Sequence, residues 1–250
     1  MEDGRRTTVT ESGYEHERRG LEAIRKRLPD EEPWRAWSNF TFTASSGHVR
    51  EVDLMVTAPA GVFLIELKDW HGSVSGGGNS WMQTTPGGTQ RRHGNPLHLT
   101  NQKAKELASL IGDTVGRGHG RPRIWVSEAV CFTDDKLGVN LASADMNGVY
   151  TIKQLVEMLS TPPTDARRQI TATVSRQVDA ALKQLRIAPV RRQHEVFVPP
   201  GGEVVRLRPH LGRLSGPSHQ AARTGAGTGL PQRARRFGRR AGLGGEGCRP

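Results

Sequence analysis

Cysteine is scarce in this chain: the 250 residues contain 2, Cys131 and Cys248. They are too few and too far apart for a disulfide framework or a zinc site. No run of about 18 apolar residues occurs, which argues against a membrane span. The opening Met1-Glu-Asp-Gly-Arg-Arg lacks an apolar segment behind it, so a signal peptide is not expected. Together these absences predict a protein of the reducing cytoplasm without membrane association, long enough for one full domain and an appendage.

Lysine is missing from the last quarter. Residues 188–250 hold 12 Arg, no Lys and 3 acidic residues, so they carry +9 of the net +11 and leave +2 for residues 1–187. A nucleic-acid reading from charge therefore concerns the tail and not the part that folds. Gly, Pro and Arg crowd residues 191–250, and no apolar periodicity persists after about Leu211. Such a segment buries too little surface to offset chain entropy and is expected to be disordered. One reading is an Arg/Gly-rich arm that binds nucleic acid electrostatically. The other, which we favour, is a GC-rich gene read out of frame, making the chain a truncated remnant of something longer.

What is present is a hairpin with an unusual open end. Residues 51–57 and 62–68 both alternate, and Ala58-Pro-Ala-Gly61 between them has the Pro and Gly of a tight turn. Pairing Thr57 with Val62 places Met55 opposite Leu64, Asp53 opposite Glu66 and Glu51 opposite Lys68. Val52, Leu54, Val56, Phe63, Ile65 and Leu67 then share an apolar face that must be core. The other face carries Glu51, Asp53, Glu66 and Lys68. Adjacent carboxylates repel unless a cation lies between them, and a divalent metal is the usual answer. With Lys68 near an attacking water or a developing phosphate charge, these are the parts of phosphodiester hydrolysis. The plainer reading is a surface hairpin with cross-strand ion pairs worth ~0.2–1 kcal/mol each.

Around the hairpin, Ser12 with Glu15 suggests a capping box. Tyr14, Leu21, Ile24 and Leu28 continue a helical stripe until Pro29. Residues 1–11 are expected to be loose. A first strand is expected over 34–43, and long loops over 69–96 with one short strand at 81–85. A helix over 99–111 and a flexible loop at 116–120 follow. Then come a strand over 124–132, a short edge strand at 149–150, and helices over 152–159 and 166–185. This order predicts an α/β architecture, a mixed sheet flanked by helices.

Asp53, then Glu66-Leu67-Lys68 on the next strand, resembles the hallmark of the restriction-endonuclease-like superfamily. More closely, Glu51-Val-Asp-Leu54 and Gly61-Val-Phe-Leu-Ile-Glu-Leu-Lys-Asp-Trp70 with Gly72 resemble a nuclease-related domain of the NERD type. The stretches around His16, Trp34–Asn39 and Asn95–Lys105 are similar to the N-terminal region of bacterial serine/threonine kinases of phage-defence systems, of the phage growth limitation and BREX type. The resemblance covers residues 12–190. It implies a restriction-endonuclease-like fold and Mg²⁺ or Mn²⁺ held by Asp53 and Glu66, with Glu17 joining from the first helix. It also implies that Lys68 positions or helps deprotonate water, and that Gln102 contacts the phosphate backbone or orients water. DNA is the implied substrate, and a protein of a phage-defence system is the further implied partner. The Gly-rich loop, strand Lys, His-Arg-Asp and Asp-Phe-Gly of a kinase are absent, so kinase activity is not expected. A non-catalytic recognition module is the alternative function.

Other residues have plainer expectations. Glu17 and Gln102 could each be a solvated or capping residue, and Glu22 is a weaker candidate for Glu17's place. Glu51 would pair with Lys68. Trp70 and Trp81 would cover the sheet edge. His71, His93 and His98 lack metal-ligand spacing, Cys131 belongs to an apolar strand, and Arg91, Arg92, Lys103 and Lys105 could line a DNA groove, with solvated faces as the default.

Overall fold

The structure, a computed structural model, describes residues 1, 4–115 and 124–190. The flexible loop expected at 116–120 and the disordered tail expected at 191–250 lie outside the described residues.

Residues 1–11 are not all loose. They include β1 (Arg6–Thr8), which runs parallel to the strand formed by residues 35–43. Helix α1 (Glu15–Arg25) begins three residues after the expected cap. Ser12 is buried, and its hydroxyl donates to the Glu17 carboxylate at 2.7 Å while accepting the Tyr14 N–H. Strands β2 (Arg35–Thr43), β3 (Val49–Ala58) and β4 (Gly61–Lys68) form an antiparallel meander. Near the turn the register is the one alternation predicts, with Thr57 beside Val62 and Met55 beside Leu64.

The stretch after β4 departs from the expected loops. It forms β5 (Ser73–Gly77), β6 (Ser80–Thr84) and β7 (Gln90–Gly94). Only Val74, Trp81 and Gln83 of these strands are buried, too sparse an alternation to announce a sheet. Helix α2 (Pro96–Val115) is longer than expected at both ends, and β8 (Val126–Phe132) follows it. Next come β9 (Gly138–Leu141), the short α3 (Ser143–Met146), β10 (Val149–Thr151) and α4 (Ile152–Ser160). Thr151 and Gln154 close a capping box at the start of α4. Helix α5 (Ala172–Gln184) starts six residues later than expected, because the Thr171 hydroxyl accepts the Val174 N–H and caps it there. Strand β11 (Ala188–Pro189) ends the described chain.

The main sheet has the order β1-β2-β3-β4-β8-β10, with β11 added beside β2. It is antiparallel through β2, β3 and β4, and parallel through β4, β8 and β10. One face packs against α2 and α5 through Met55, Leu64, Leu107, Ile111, Val178 and Leu182. The other packs against α1 and α4 through Ile24, Val56, Ile65, Leu155 and Leu159. A second sheet, ordered β7-β6-β5-β9, joins the ends of β8 and β10 through Val74, Trp81, Leu97 and Phe132. The expected α/β class, a mixed sheet flanked by helices, is what the chain forms. Among the described residues no helix is long and apolar enough to cross a membrane.

Candidate functional site

The site arises where two ladders fail at the same level. Strands β2 and β3 pair Ser38 with Leu54 and Phe40 with Val52, but skip Asn39 and Asp53 between them. Asn39 has φ +53°, a left-handed conformation that asparagine tolerates better than most non-glycine residues. Alternation slips there. Val52, expected on the Leu54 and Val56 face, packs on the opposite face with Phe40 and Met55.

The β3–β4 ladder also stops, at Leu54 with Ile65, while β4 remains paired with β8 through Lys68. Into this opening Asp53 turns its carboxylate, and Oδ2 accepts the Leu67 N–H at 2.9 Å. The side chain thus takes the place of a ladder carbonyl and satisfies the Leu67 donor.

Glu66 is the hub. Its Oε1 accepts from Lys68 Nζ at 2.7 Å, and its Oε2 accepts from Lys103 Nζ at 2.9 Å. The side chains are recessed but reachable, with 17% of Glu66, 26% of Lys68 and 21% of Lys103 exposed. Burial, then the neighbouring Glu66 charge, pushes the Asp53 carboxyl up to about 7, against the pull of Lys68. Burial also works against charge on Glu66, but Lys68 and Lys103 outweigh it and hold its pKa below the usual glutamate value. Lys68 is opposed by burial too, yet Glu66, Asp53 and Glu17 keep it more firmly protonated than an ordinary lysine.

Glu17 lies close enough on α1 to contribute to that field, and Ser12 fixes its carboxylate. Gly20, one turn on, lets α1 approach: a Cβ there would stand 2.7 Å from Thr133 Cγ2 and 3.2 Å from Leu67 Cδ2. Gln102 is placed differently. It is exposed, and its amide donates to Glu106 Oε1 at 3.3 Å. Glu106 in turn takes Arg50 in a bidentate pair of 2.7 and 2.8 Å, tying α2 to β3. The next residue, Lys103, is the one that α2 delivers to the carboxylates.

Asn95 caps α2. Its Oδ1 accepts the Leu97 N–H at 2.9 Å, and its Nδ2 donates to the Gly78 carbonyl and to Asp145. Trp81 is fully buried and donates to Asp145, while the half-buried Trp70 stacks on His93 with ring centroids 4.3 Å apart. Gly72 has φ +90°, and a Cβ there would collide with the Thr84 carbonyl, so the turn out of β4 requires glycine.

Residues 12–133 match the nuclease-related domain family, NERD. This stretch is a nuclease-related domain. Over 196 residues the chain is also 60% identical to a protein of Streptomyces coelicolor (strain ATCC BAA-471 / A3(2) / M145) named "Probable kinase PglW". That match takes in 78% of this chain but spans 12% of the relative's length. No solved structure matches the chain.

The nuclease-related domain contains the whole constellation, because Glu17, Asp53, Glu66, Lys68 and Lys103 all fall within residues 12–133. Among the described residues no group of three or more His, Cys, Asp and Glu side chains converges as a ready-made metal cage. The donor chemistry still fits a hard divalent ion. Asp53 and Glu66 are neighbouring oxygen donors, close enough for one to raise the other's pKa. Mg²⁺ is commonly held by one or two carboxylates, with water and substrate phosphate completing its shell.

Three further groups take plain roles. Glu51 is exposed, and the ion pair expected between it and Lys68 goes to Glu66 instead. His71 is hydrogen-bonded by Asp134 at 2.7 Å, which raises its pKa with help from Asp69. Cys131 is buried, which pushes its thiol up to about 12 and leaves it unreactive.

Sequence reading gave Lys103 a DNA groove or a solvated face and did not place it with the carboxylates, where the structure has it. A signal existed in the helical phase. Thr100, Ala104, Leu107 and Ile111 are the buried stripe of α2, and position 103 stands three after Thr100 and four before Leu107, at the edge of that stripe.

Proposed function

We propose that the nuclease-related domain hydrolyses phosphodiester bonds of DNA with Mg²⁺ or Mn²⁺. The observation that carries this reading is the recessed Asp53–Glu66 pair with a firmly protonated Lys68 beside it. Asp53 and Glu66 would hold the ion, and Glu17, whose charge acts on Lys68, is the further acidic candidate. When bound, the ion supplies Lewis-acid polarisation of the phosphate and a more acidic water.

The remaining tasks fall to the chain. The Leu67 N–H orients Asp53. Glu66 anchors Lys68 within reach of the reacting phosphate. A lysine kept charged by three carboxylates is a poor proton acceptor, so its part is to position the nucleophile and offset charge growing on the phosphate. Of the two roles first considered for Lys68, this supports positioning over deprotonation. Gln102, on the same helix as Lys103, would follow the DNA backbone from its exposed position.

The natural setting we infer is the cytoplasm, within a phage-defence system and beside a kinase. The identity to a protein named a probable kinase supports that setting. A recognition module without catalysis is the second reading, favoured by the +2 charge of residues 1–187 and by lysines on both Glu66 oxygens.

Cleavage of plasmid and linear DNA with Mg²⁺, Mn²⁺ or EDTA tests the proposal. Metal-dependent nicking is expected, reduced by roughly 10²-fold or more in Lys68→Ala, the usual scale for losing a group that stabilises the transition state. Asp53→Ala should lose both cleavage and the metal-dependent rise in melting temperature. Cleavage by both variants at the parent's rate would dismiss the site. A folded, metal-stabilised protein that never cleaves would favour the recognition module.

A further inference from the structure

Lys103 has no part in the family pattern that first drew attention to Asp53, Glu66 and Lys68, yet its position is built with care. Ala104 and Leu107, one and four residues on, are fully buried against the sheet. The bidentate Arg50–Glu106 pair clamps the same stretch of α2 to β3. Between these anchors the Lys103 ammonium reaches Glu66 Oε2 at 2.9 Å, while Lys68 already occupies Oε1 at 2.7 Å. Both oxygens of the central carboxylate are thereby engaged by protein cations. Each of the two ammonium groups thus offsets carboxylate charge that an added ion would otherwise neutralise.

A divalent cation approaching Glu66 meets two positive charges, one ammonium on each oxygen. Withdrawal of one ammonium relieves that repulsion. Lys68 projects from the same strand as Glu66, two residues along, and is held in addition by the fields of Asp53 and Glu17. Lys103 comes from a different element on a four-carbon stem, is partly exposed, and can extend to solvent by rotating about its own side-chain bonds. We infer that Lys103 is an internal counter-ion that competes with the divalent metal for Glu66 Oε2, so that loading the site requires its ammonium to leave the carboxylate. The inference rests on the proposed metal-binding function and adds a competitor to it.

The test is Mn²⁺ affinity of the full chain, measured by electron paramagnetic resonance of free Mn²⁺ and by the metal-dependent shift in melting temperature. Parent, Lys103→Met, Lys103→Gln, Lys105→Met and Asp53→Asn are compared. Lys105 is exposed on the same helix and controls for a general change in net charge. Loss of Lys103 leaves Glu66 paired with Lys68, so both substitutions should fold, and the glutamine variant keeps a polar partner if methionine does not.

Lys103→Met should tighten Mn²⁺ about tenfold or more, the scale of removing a unit charge a few Å away in a partly solvated site. Lys105→Met should change it less than about twofold, because an exposed charge farther off is screened. Affinity unchanged in Lys103→Met, or equal to that of Lys105→Met, overturns the competition while leaving the metal site standing. Weaker binding in Lys103→Met also overturns it and makes Lys103 a support of the loaded site. Parent-like binding by Asp53→Asn would instead remove the metal reading itself. No Mn²⁺ effect in any variant would remove both.

Discussion

Asp53 sits where its charge is least welcome. Burial and the adjacent Glu66 raise its carboxyl from 3.8 to about 7. A carboxyl whose pKa is higher in the fold than in the unfolded chain binds its proton more tightly when folded. Its stabilising contribution is therefore complete at acid pH and is lost as pH rises from about 4 through about 7. Glu66 has the opposite sign: its pKa is lowered, so its contribution is present above the usual glutamate range and lost on acidification below it. Between about pH 5 and pH 8 the Asp53 effect dominates. Without added metal, the parent should lose melting temperature across that interval relative to Asp53→Asn, which cannot ionise. Thermal melts of the two proteins at stepped pH measure this, and parallel curves would show that Asp53 is not the titrating group. Asp53, Glu66 and Lys68 stood out in the sequence because they lie within one hairpin, although the expected pairing of Asp53 with Glu66 gives way to the Asp53–Leu67 N–H bond. Lys103 did not, because which flank of a helix faces a distant carboxylate depends on the helix's rotation about its axis.

At the level of elements, the site is an intersection of β3, β4, α1 and α2, and each needs its own means of approach. The broken pairing at Asn39 and Asp53 opens the sheet. Asn95 starts α2 where Lys103 can reach Glu66. For α1, close approach depends on Gly20, which meets Thr133 and Leu67. Thr133 cannot swing aside freely, because its hydroxyl donates to Asp69 at 2.7 Å. Gly20→Ala would gain roughly 1 kcal/mol of helix propensity. Overpacking costs typically about 1–3 kcal/mol, so the net expectation is a loss on the order of 1 kcal/mol. For a domain of this size that corresponds to a melting temperature lower by about 2–4 °C. Differential scanning calorimetry would measure it, and an increase in melting temperature would mean that α1 does not bear on β4 as described. The start of this helix was misjudged from sequence because Ser12 and Glu15 spell a capping box, whereas Ser12 is used to hold Glu17.

For the molecule as a whole, charge and chemistry are segregated. The site belongs to residues that carry +2 in sum, whereas residues 188–250 carry +9. Most of the salt-dependent affinity for DNA should therefore reside in the Arg-rich segment. Deleting residues 200–250 should flatten the slope of log K against log salt, each phosphate contact contributing about −0.9 on duplex DNA. Fluorescence anisotropy at several salt concentrations checks this, and an unchanged slope would place the electrostatic contacts on the domain. Local sequence carried the hairpin register near the turn, the mixed α/β class and the nearness of Glu66 to Lys68. Those features depend on alternation, turn residues and spacing, which operate between near neighbours. It took the tertiary structure to show that 69–96 builds a second sheet, that Val52 changes face at the Asn39 slip, and that Lys103 reaches Glu66 from α2. Those outcomes depend on packing between elements far apart in the chain, where the axial rotation of each helix and the closeness of each contact are set by the whole core at once.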